Sequence, residues 1–110
     1  MSDKIKKFSQ AIRLGATFRP QCFNIVADRD EKQNVLKTCA VGAALEALGE
    51  DLEAFAGYEI IKRFDLNDLF VCPVCTRSVG VTWDGIIHLN DFHHWTREKI
   101  ATWLEEKKDL

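Results

Sequence analysis

The chain has 110 residues, of which 46% are hydrophobic and 29% are charged, and its formal net charge is −2. A chain of this length fits one domain that buries about two-thirds of the surface of its unfolded form. The composition therefore argues against a disordered protein. The charge is uneven, because residues 1–27 carry five bases and one acid whereas residues 28–70 carry ten acids and five bases. A basic surface of the kind that non-specific nucleic-acid binders use is expected only near the N-terminus.

The sequence also argues against a membrane or secreted protein. No apolar run approaches the roughly 20 residues that a transmembrane helix needs. The N-terminal residues include bases but lack the apolar segment and cleavage site of a signal peptide. We therefore expect a cytoplasmic protein, in which a Cys-x-x-Cys motif indicates metal or redox chemistry before a disulfide.

The first half of the chain predicts two helices with a short hairpin between them. Residues 3–14 form an amphipathic pattern that Gly15 would end, with an apolar face made of Ile5, Phe8, Ala11 and Ile12. After Pro20, a brief strand is expected at Phe23, Ile25 and Val26, paired with Val35 and Leu36. Thr38 would cap a second helix over residues 39–48, closed by Gly49. Because glycine costs about 1 kcal/mol inside a helix, Gly42 predicts a close helix–helix approach.

The second half predicts an acidic connector, a hairpin and two more helices. The connector has one or two helical turns around residues 52–55 and 58–64. Residues 70–82 alternate as in a hairpin, after which Asp84 would cap a helix from Gly85 and Thr96 would cap the last helix. We expect one α+β domain over residues 1–110, in which N-terminal helices and a C-terminal helix accompany a ββα zinc-finger-like unit at residues 70–95.

A metal-ligand pattern lies within that unit. Cys72, Cys75 and His88 are spaced C-x2-C-x12-H, and a further histidine follows at His93 or His94. This spacing falls within the range of two-Cys, two-His zinc fingers. A Cys-x-x-Cys turn supplies two thiolates from one loop, and a helix after a hairpin supplies imidazoles. The pattern predicts Zn²⁺ bound by Cys72, Cys75, His88 and a fourth ligand.

The choice of fourth ligand depends on helix geometry. His88 and His93 are five residues apart, about 140° around an ideal helix, so the helix must tighten or end between them. His94 is six residues from His88 and points further away. We therefore prefer His93 and leave His94 as the alternative.

The finger lacks the side chains that read DNA. Counted back from His88, the three base-reading positions fall on Val81, Asp84 and Ile87. None of these side chains supplies the Arg–guanine or Asn–adenine pairing of direct readout. The core positions of DNA-reading fingers fall on Val79 and Gly85, so this local resemblance holds for the ligands alone. Nucleic acid is not the partner that we expect.

Catalysis is also disfavoured, since a catalytic zinc keeps three protein ligands and an open position, whereas this motif offers four. Asp91 is the only candidate base beside the site. Cys39 opens a helix, where a thiol's pKa is lowered, but a small buried residue is the simpler interpretation. Cys22 has no partner at metal spacing. We expect no enzymatic activity.

Three segments support a wider resemblance: "CAVGAALEALG", "CPVC" and "HLNDFHHWTREKIATWLE". Over roughly two-thirds of its length the chain resembles a family of small uncharacterised proteins from bacterial and phage genomes. In that family the motif D-x-H-x-W places the histidine at position 93, so the resemblance favours His93. It implies no activity.

These observations lead to three functional hypotheses. The preferred one is a protein with a structural zinc that acts as a protein–protein interaction adaptor or regulator, encoded by a phage or mobile element. The second is a nucleic-acid-associated regulator that uses the basic N-terminal helix and the finger. The third is a zinc-dependent enzyme that uses Asp91 or Cys39. The sequence leaves the partner and the oligomeric state open.

Overall fold

The computed structural model describes residues 5–52 and 57–110. Within these residues the fold has five α-helices, two antiparallel two-stranded sheets and a π-helical turn, and the predicted α+β class is confirmed. In chain order the elements are α1 (Phe8–Ala16), β1 (Ala27–Arg29), β2 (Val35–Thr38), α2 (Ala40–Ala47), α3 (Gly57–Phe64), β3 (Leu69–Val71), β4 (Ser78–Val81), α4 (Thr82–Asp91), α5 (Arg97–Trp103) and the turn Leu104–Lys108.

Helices α1 and α2 pack closely through a glycine. Helix α1 begins later than predicted, at Phe8, so Ile5 precedes it, but Phe8, Ala11 and Ile12 of the predicted apolar face are fully buried. The expectation that Gly15 ends the helix is wrong, because α1 continues to Ala16. A Cβ atom on Gly15 would lie 1.8 Å from the carbonyl oxygen of Ala43 in α2. Gly15 therefore provides space between two helices rather than a helix end.

Gly42 also allows a close approach, but not to a helix. A Cβ atom at this position would lie 2.2 Å from the carbonyl oxygen of Val26, which precedes β1. The same oxygen accepts a hydrogen bond from the Cys39 amide at 3.1 Å. The helix–helix contact predicted at Gly42 is thus a helix–loop contact.

The first hairpin lies later in the chain than predicted. Strand β1 begins at Ala27, whereas Phe23 and Ile25 are exposed in the preceding loop, so the predicted strand is wrong. A left-handed residue, Asn24 with φ 68°, turns the chain there. The predicted return strand is confirmed as β2, in which Thr38 pairs with Ala27.

The N-terminus of α2 differs by one residue from the prediction. The N-cap of α2 is Cys39, whose Sγ accepts a hydrogen bond from the Gly42 amide at 3.4 Å, and Thr38 ends β2 instead. Gly49 closes the helix region with φ 74°, as predicted.

The connector after α2 was expected to contain helical turns. The expected turn at residues 52–55 lies mostly outside the described residues. The expected turn at residues 58–64 is confirmed by α3.

The second hairpin leads directly into α4. Strands β3 and β4 confirm the predicted hairpin, but α4 begins at Thr82, so Asp84 is its third residue and not its cap. The Asp84 carboxylate accepts a hydrogen bond from the Val81 amide at 3.0 Å and so still stabilises the helix start. Thr96 caps α5 as predicted, because its hydroxyl accepts from the Lys99 amide at 3.1 Å.

One hydrophobic core joins the two halves of the chain. Its largest fully buried apolar side chains come from α1, α3, β3, α4, α5 and adjoining residues: Phe8, Ile12, Ile60, Leu66, Phe70, Ile86, Leu89, Ile100 and Leu104. The hairpin and α4 are thus part of the domain core and not a separate module. Among the helices of the described ranges, none combines the length and apolar character needed to span a membrane.

Candidate metal centre

The turn between β3 and β4 places two cysteines on the same side of the hairpin. The Cys72 amide donates to the Arg77 carbonyl at 2.9 Å, and the Thr76 amide donates to the Cys72 carbonyl at 3.0 Å. Thr76 adopts a left-handed conformation with φ 62°, which reverses the chain after Cys75. The result is a compact loop that brings the two sulfur atoms together.

Backbone amides of this loop favour negative charge on sulfur. Cys72 Sγ accepts hydrogen bonds from the amides of Val74 at 3.4 Å and Cys75 at 3.5 Å. The Arg77 amide holds the pKa of the Cys75 thiol below its usual value. Because the thiolate and not the thiol binds metals, the loop prepares Cys75 as a ligand.

Helix α4 follows β4 without a linker and brings His88 to the cysteines. His88 Nε2 lies 3.5 Å from Cys75 Sγ. The ring of Phe92 stacks on the His88 ring with the centroids 5.2 Å apart, which fixes the orientation of the imidazole. Burial, followed by the nearby His93 ring, lowers the pKa of His88. The neutral form, which is the form that binds metals, is therefore favoured.

The end of α4 brings His93 to the same point. The helix ends at Asp91 with Phe92 as its C-cap, as the spacing of the two histidines required. The His93 amide donates to the His88 carbonyl at 3.4 Å, and the two imidazole rings meet edge to face with centroids 4.8 Å apart. The chain thus leaves the helix in a turn that keeps His93 beside His88.

Four ligand atoms converge at this position. One sulfur or nitrogen atom from each of Cys72, Cys75, His88 and His93 lies within 4.8 Å of the others. His93 Nε2 is buried and has no hydrogen-bond partner among the residues that the structure describes. A buried imidazole nitrogen without a partner is costly, and a metal ion at the centre of the cluster would satisfy it. The two thiols and two imidazoles therefore fit a metal ion.

His94 lies outside this cluster. Its backbone is left-handed, with φ 54°, and its side chain is exposed. Its ring packs against Phe23 with the centroids 4.6 Å apart. Of the adjacent histidines, the structure brings only His93 to the cysteines.

The positions considered for DNA reading serve structural roles. Asp84 bonds the backbone of Val81, and Ile87 packs against the core. Three bases in the described part of the N-terminal segment form ion pairs within the protein. Arg13 pairs with Glu98 and Glu105, Arg19 pairs with Glu46, and Lys7 pairs with Asp109.

The residues considered for catalysis are one hydrogen-bonded carboxylate and two buried thiols. The carboxylate of Asp91 accepts a hydrogen bond from the side-chain amide of Asn90 at 2.7 Å. Burial raises the pKa of the Cys39 thiol to about 11, so burial outweighs the expected effect of its position at a helix start. Burial also raises the pKa of Cys22. Both thiols lie in the core, in agreement with the simpler interpretation.

Two buried polar residues that connect distant segments of the chain were missed from the sequence. Asn90, fully buried in α4, accepts hydrogen bonds from Gln21 at 2.8 Å and the Ala40 amide at 3.0 Å, and donates to the Cys22 carbonyl at 3.0 Å. Arg97 donates to backbone and hydroxyl oxygens of Arg19 and Thr38. The sequence does place Asn90 on the same face of α4 as the apolar Ile86 and Leu89, and a polar residue at such a position indicates a buried side chain with hydrogen-bond partners.

Comparison of the chain with models of protein families, with curated proteins and with solved structures found no match. The resemblance to small bacterial and phage proteins therefore remains a prediction.

Proposed function

We propose that the protein binds one zinc ion through Cys72, Cys75, His88 and His93, and that this zinc is structural. The observation that carries the proposal is the convergence of one ligand atom from each of these four residues within 4.8 Å, at a histidine whose buried Nε2 has no hydrogen-bond partner among the described residues. Thiolate and imidazole together are the ligand set that zinc prefers, and four protein ligands complete its tetrahedral coordination. When bound, zinc would stabilise the β3–β4 hairpin against the end of α4.

The function that we propose for this framework is that of a protein–protein interaction adaptor or regulator. With four protein ligands the site leaves no position for a reacting water. The base-reading positions lack donors for base edges, and the N-terminal arginines are paired with carboxylates. These features favour a binding protein over an enzyme or a nucleic-acid reader.

Zinc binding is tested first by stoichiometry and ligand type. We expect one zinc per chain after purification in zinc-containing medium, and X-ray absorption that reports two sulfur and two nitrogen neighbours. A coordinated water in place of one protein ligand would contradict the structural role and would favour an enzyme.

The paired histidines offer a matched test of the ligand assignment. His93→Ala removes a proposed ligand and is expected to weaken zinc binding by more than about 100-fold, beyond the effect typical of residues around the ligands. His94→Asn removes the imidazole one residue later, with a side chain that tolerates the left-handed backbone, and is expected to leave the affinity unchanged. Competition with a chromophoric chelator at neutral pH measures both. Equal losses for the two variants would contradict the assignment.

A further inference from the structure

An open groove runs along α5 between two tryptophans. Trp95 and Trp103 contribute to its mainly apolar lining, and its volume is about 450 Å³. This volume falls within the range of about 300–1,000 Å³ that is typical of ligand pockets. Both indole side chains are half-buried, so part of each ring is available to a partner.

The groove is held in shape from behind. The Trp103 ring packs edge-on against Phe70 of β3 with the centroids 5.3 Å apart. The Trp95 amide donates to the Leu89 carbonyl of α4 at 3.0 Å. Arg13 of α1 donates to the Glu98 carboxylate at 2.7 Å and so fixes α5 on the domain. A preformed groove of this kind loses little conformational entropy when a partner binds.

The charged groups of the groove favour a cation. Two carboxylates, Glu98 and Glu106, line it together with one ammonium, Lys99. Lys99 Nζ already lies over the Trp95 ring, 4.3 Å from the centroid, which shows that this indole face accepts a cation. Glu98 is partly neutralised by Arg13, whereas Glu106 is exposed at the far end of the groove.

We propose that this groove docks a basic segment of a partner protein, with an arginine of the partner stacked on Trp95 in place of Lys99. Tryptophan and arginine are enriched among the residues that dominate protein interfaces, and the planar guanidinium stacks on aromatic rings better than an ammonium does. The carboxylate of Glu106 attracts the positive charge of the segment. The inference rests on the proposed adaptor function and specifies that the partner presents a basic segment.

The groove is also connected to the metal centre through the chain. Trp95 follows His93 by two residues, and Phe70, which supports Trp103, precedes Cys72 by two residues. Zinc at the four ligands would therefore hold both walls of the groove in position. This connection explains why a structural metal and a docking surface occur in one small domain.

The test uses fluorescein-labelled hexapeptides in which leucine alternates with arginine, glutamine or glutamate. Binding to the full-length, zinc-loaded protein is measured by fluorescence anisotropy at physiological salt. The arginine peptide is expected to bind at least about tenfold more tightly than the glutamine peptide, because several charge and cation–π contacts act together. The glutamate peptide is expected to bind most weakly.

Two exposed substitutions should change this affinity in opposite directions. Glu106→Gln removes an attractive charge and is expected to weaken binding of the arginine peptide by about threefold. Lys99→Gln frees the face of Trp95 and is expected to strengthen binding by about threefold. Glu31→Gln, which makes the same charge change in the β1–β2 turn, is the control and is expected to have no effect. Circular dichroism verifies that each variant is folded.

The outcomes distinguish the groove from the metal site. Equal binding of the three peptides, or equal effects of Glu106→Gln and Glu31→Gln, would overturn the groove while leaving zinc binding intact. Zinc content is measured by chelator competition on the same samples. A protein that holds no zinc but shows the expected peptide preference and variant effects would refute the metal and retain the groove.

Discussion

Gly15 shows how one missing side chain sets the distance between two helices. The atoms that its Cβ would meet are the backbone oxygen, carbon and Cα of Ala43. Such atoms cannot move unless α2 moves as a whole. From the sequence, a glycine near a helix end predicts a C-cap, because local signals report conformation and not the space that a neighbouring helix requires.

We expect Gly15→Ala to destabilise the protein by about 3 kcal/mol, since overpacking outweighs the gain of about 1 kcal/mol in helix propensity. Gly49→Ala adds the same methyl group where no atom lies within 4 Å but φ is 74°, and we expect a smaller cost of about 1 kcal/mol from the left-handed backbone. Urea unfolding followed by circular dichroism compares the two. Equal costs would show that packing at Gly15 is not close.

The ligand residues could be predicted from their spacing, but the buried residue that positions the helix carrying His88 could not. Cys72, Cys75 and His88 stand out because a metal requires particular atoms at particular intervals. Asn90 does not stand out in this way, since its hydrogen bonds to Gln21, Ala40 and Cys22 join segments that are distant in sequence. Such partners become visible only once the chain is folded.

Helices α4 and α2 are joined through Asn90. Its side-chain oxygen accepts the amide of Ala40, the first residue of α2, which would otherwise be an unsatisfied helix N-terminal donor. The same side chain lies two residues from His88, so it also fixes the position of that proposed ligand relative to the core.

We expect Asn90→Leu to destabilise the protein by about 2–4 kcal/mol, because it keeps the volume but leaves buried donors and acceptors without partners. The Ala40 amide should then exchange with deuterium faster than in the unaltered protein. Asn67→Leu, an exposed position, is the control and should change stability little. Unchanged exchange at Ala40 would contradict the capping role of Asn90.

The C-terminal turn is held to α1 by ion pairs, which predicts a dependence on pH. Arg13 lowers the pKa of Glu105 below its ordinary value of 4.5. The stabilisation from this pair is therefore complete above pH 4.5 and is lost as pH falls through the lowered pKa. We expect Arg13→Met to lower the unfolding midpoint near neutral pH, and the difference from the unaltered protein to shrink between pH 5 and 3. A constant difference across this range would contradict the pairing.

The elements were easier to predict than their ends. Apolar periodicity identified α1, α2, α5 and the second hairpin, because burial on one face requires that pattern. The predicted strand at Phe23 failed because a left-handed residue at Asn24 diverts the chain, and residue type alone does not specify that turn. The cap moved from Thr38 to Cys39 because β2 pairing uses Thr38.

The domain as a unit combines a shared core with a cluster of four potential metal ligands, Cys72, Cys75, His88 and His93. Because Phe70 and Leu89 are fully buried in the same core as residues of α1 and α3, the hairpin and α4 gain stability from the core and do not depend on the proposed metal alone. Metal removal should therefore weaken the domain without converting it into a random coil.

We expect chelation to lower the melting temperature by about 15 °C, since zinc at 1,000 times its dissociation constant stabilises by about 4 kcal/mol and each kcal/mol corresponds to about 4 °C. Loss of hydrogen-exchange protection should be greatest in residues 69–95. Calorimetry before chelation, after chelation and after zinc is returned measures the effect, with magnesium as the control ion. An unchanged melting temperature would contradict a structural zinc.

The left-handed backbone of His94 limits which amino acids can follow the proposed fourth ligand. Glycine and asparagine adopt φ near 54° readily, so either could replace His94 while the chain still turns between His93 and Trp95. Valine or isoleucine would oppose that conformation because of their branched β-carbons. Position 94 would therefore accept any residue that tolerates the left-handed backbone. Position 93, in contrast, would require a side chain that supplies a metal-binding nitrogen.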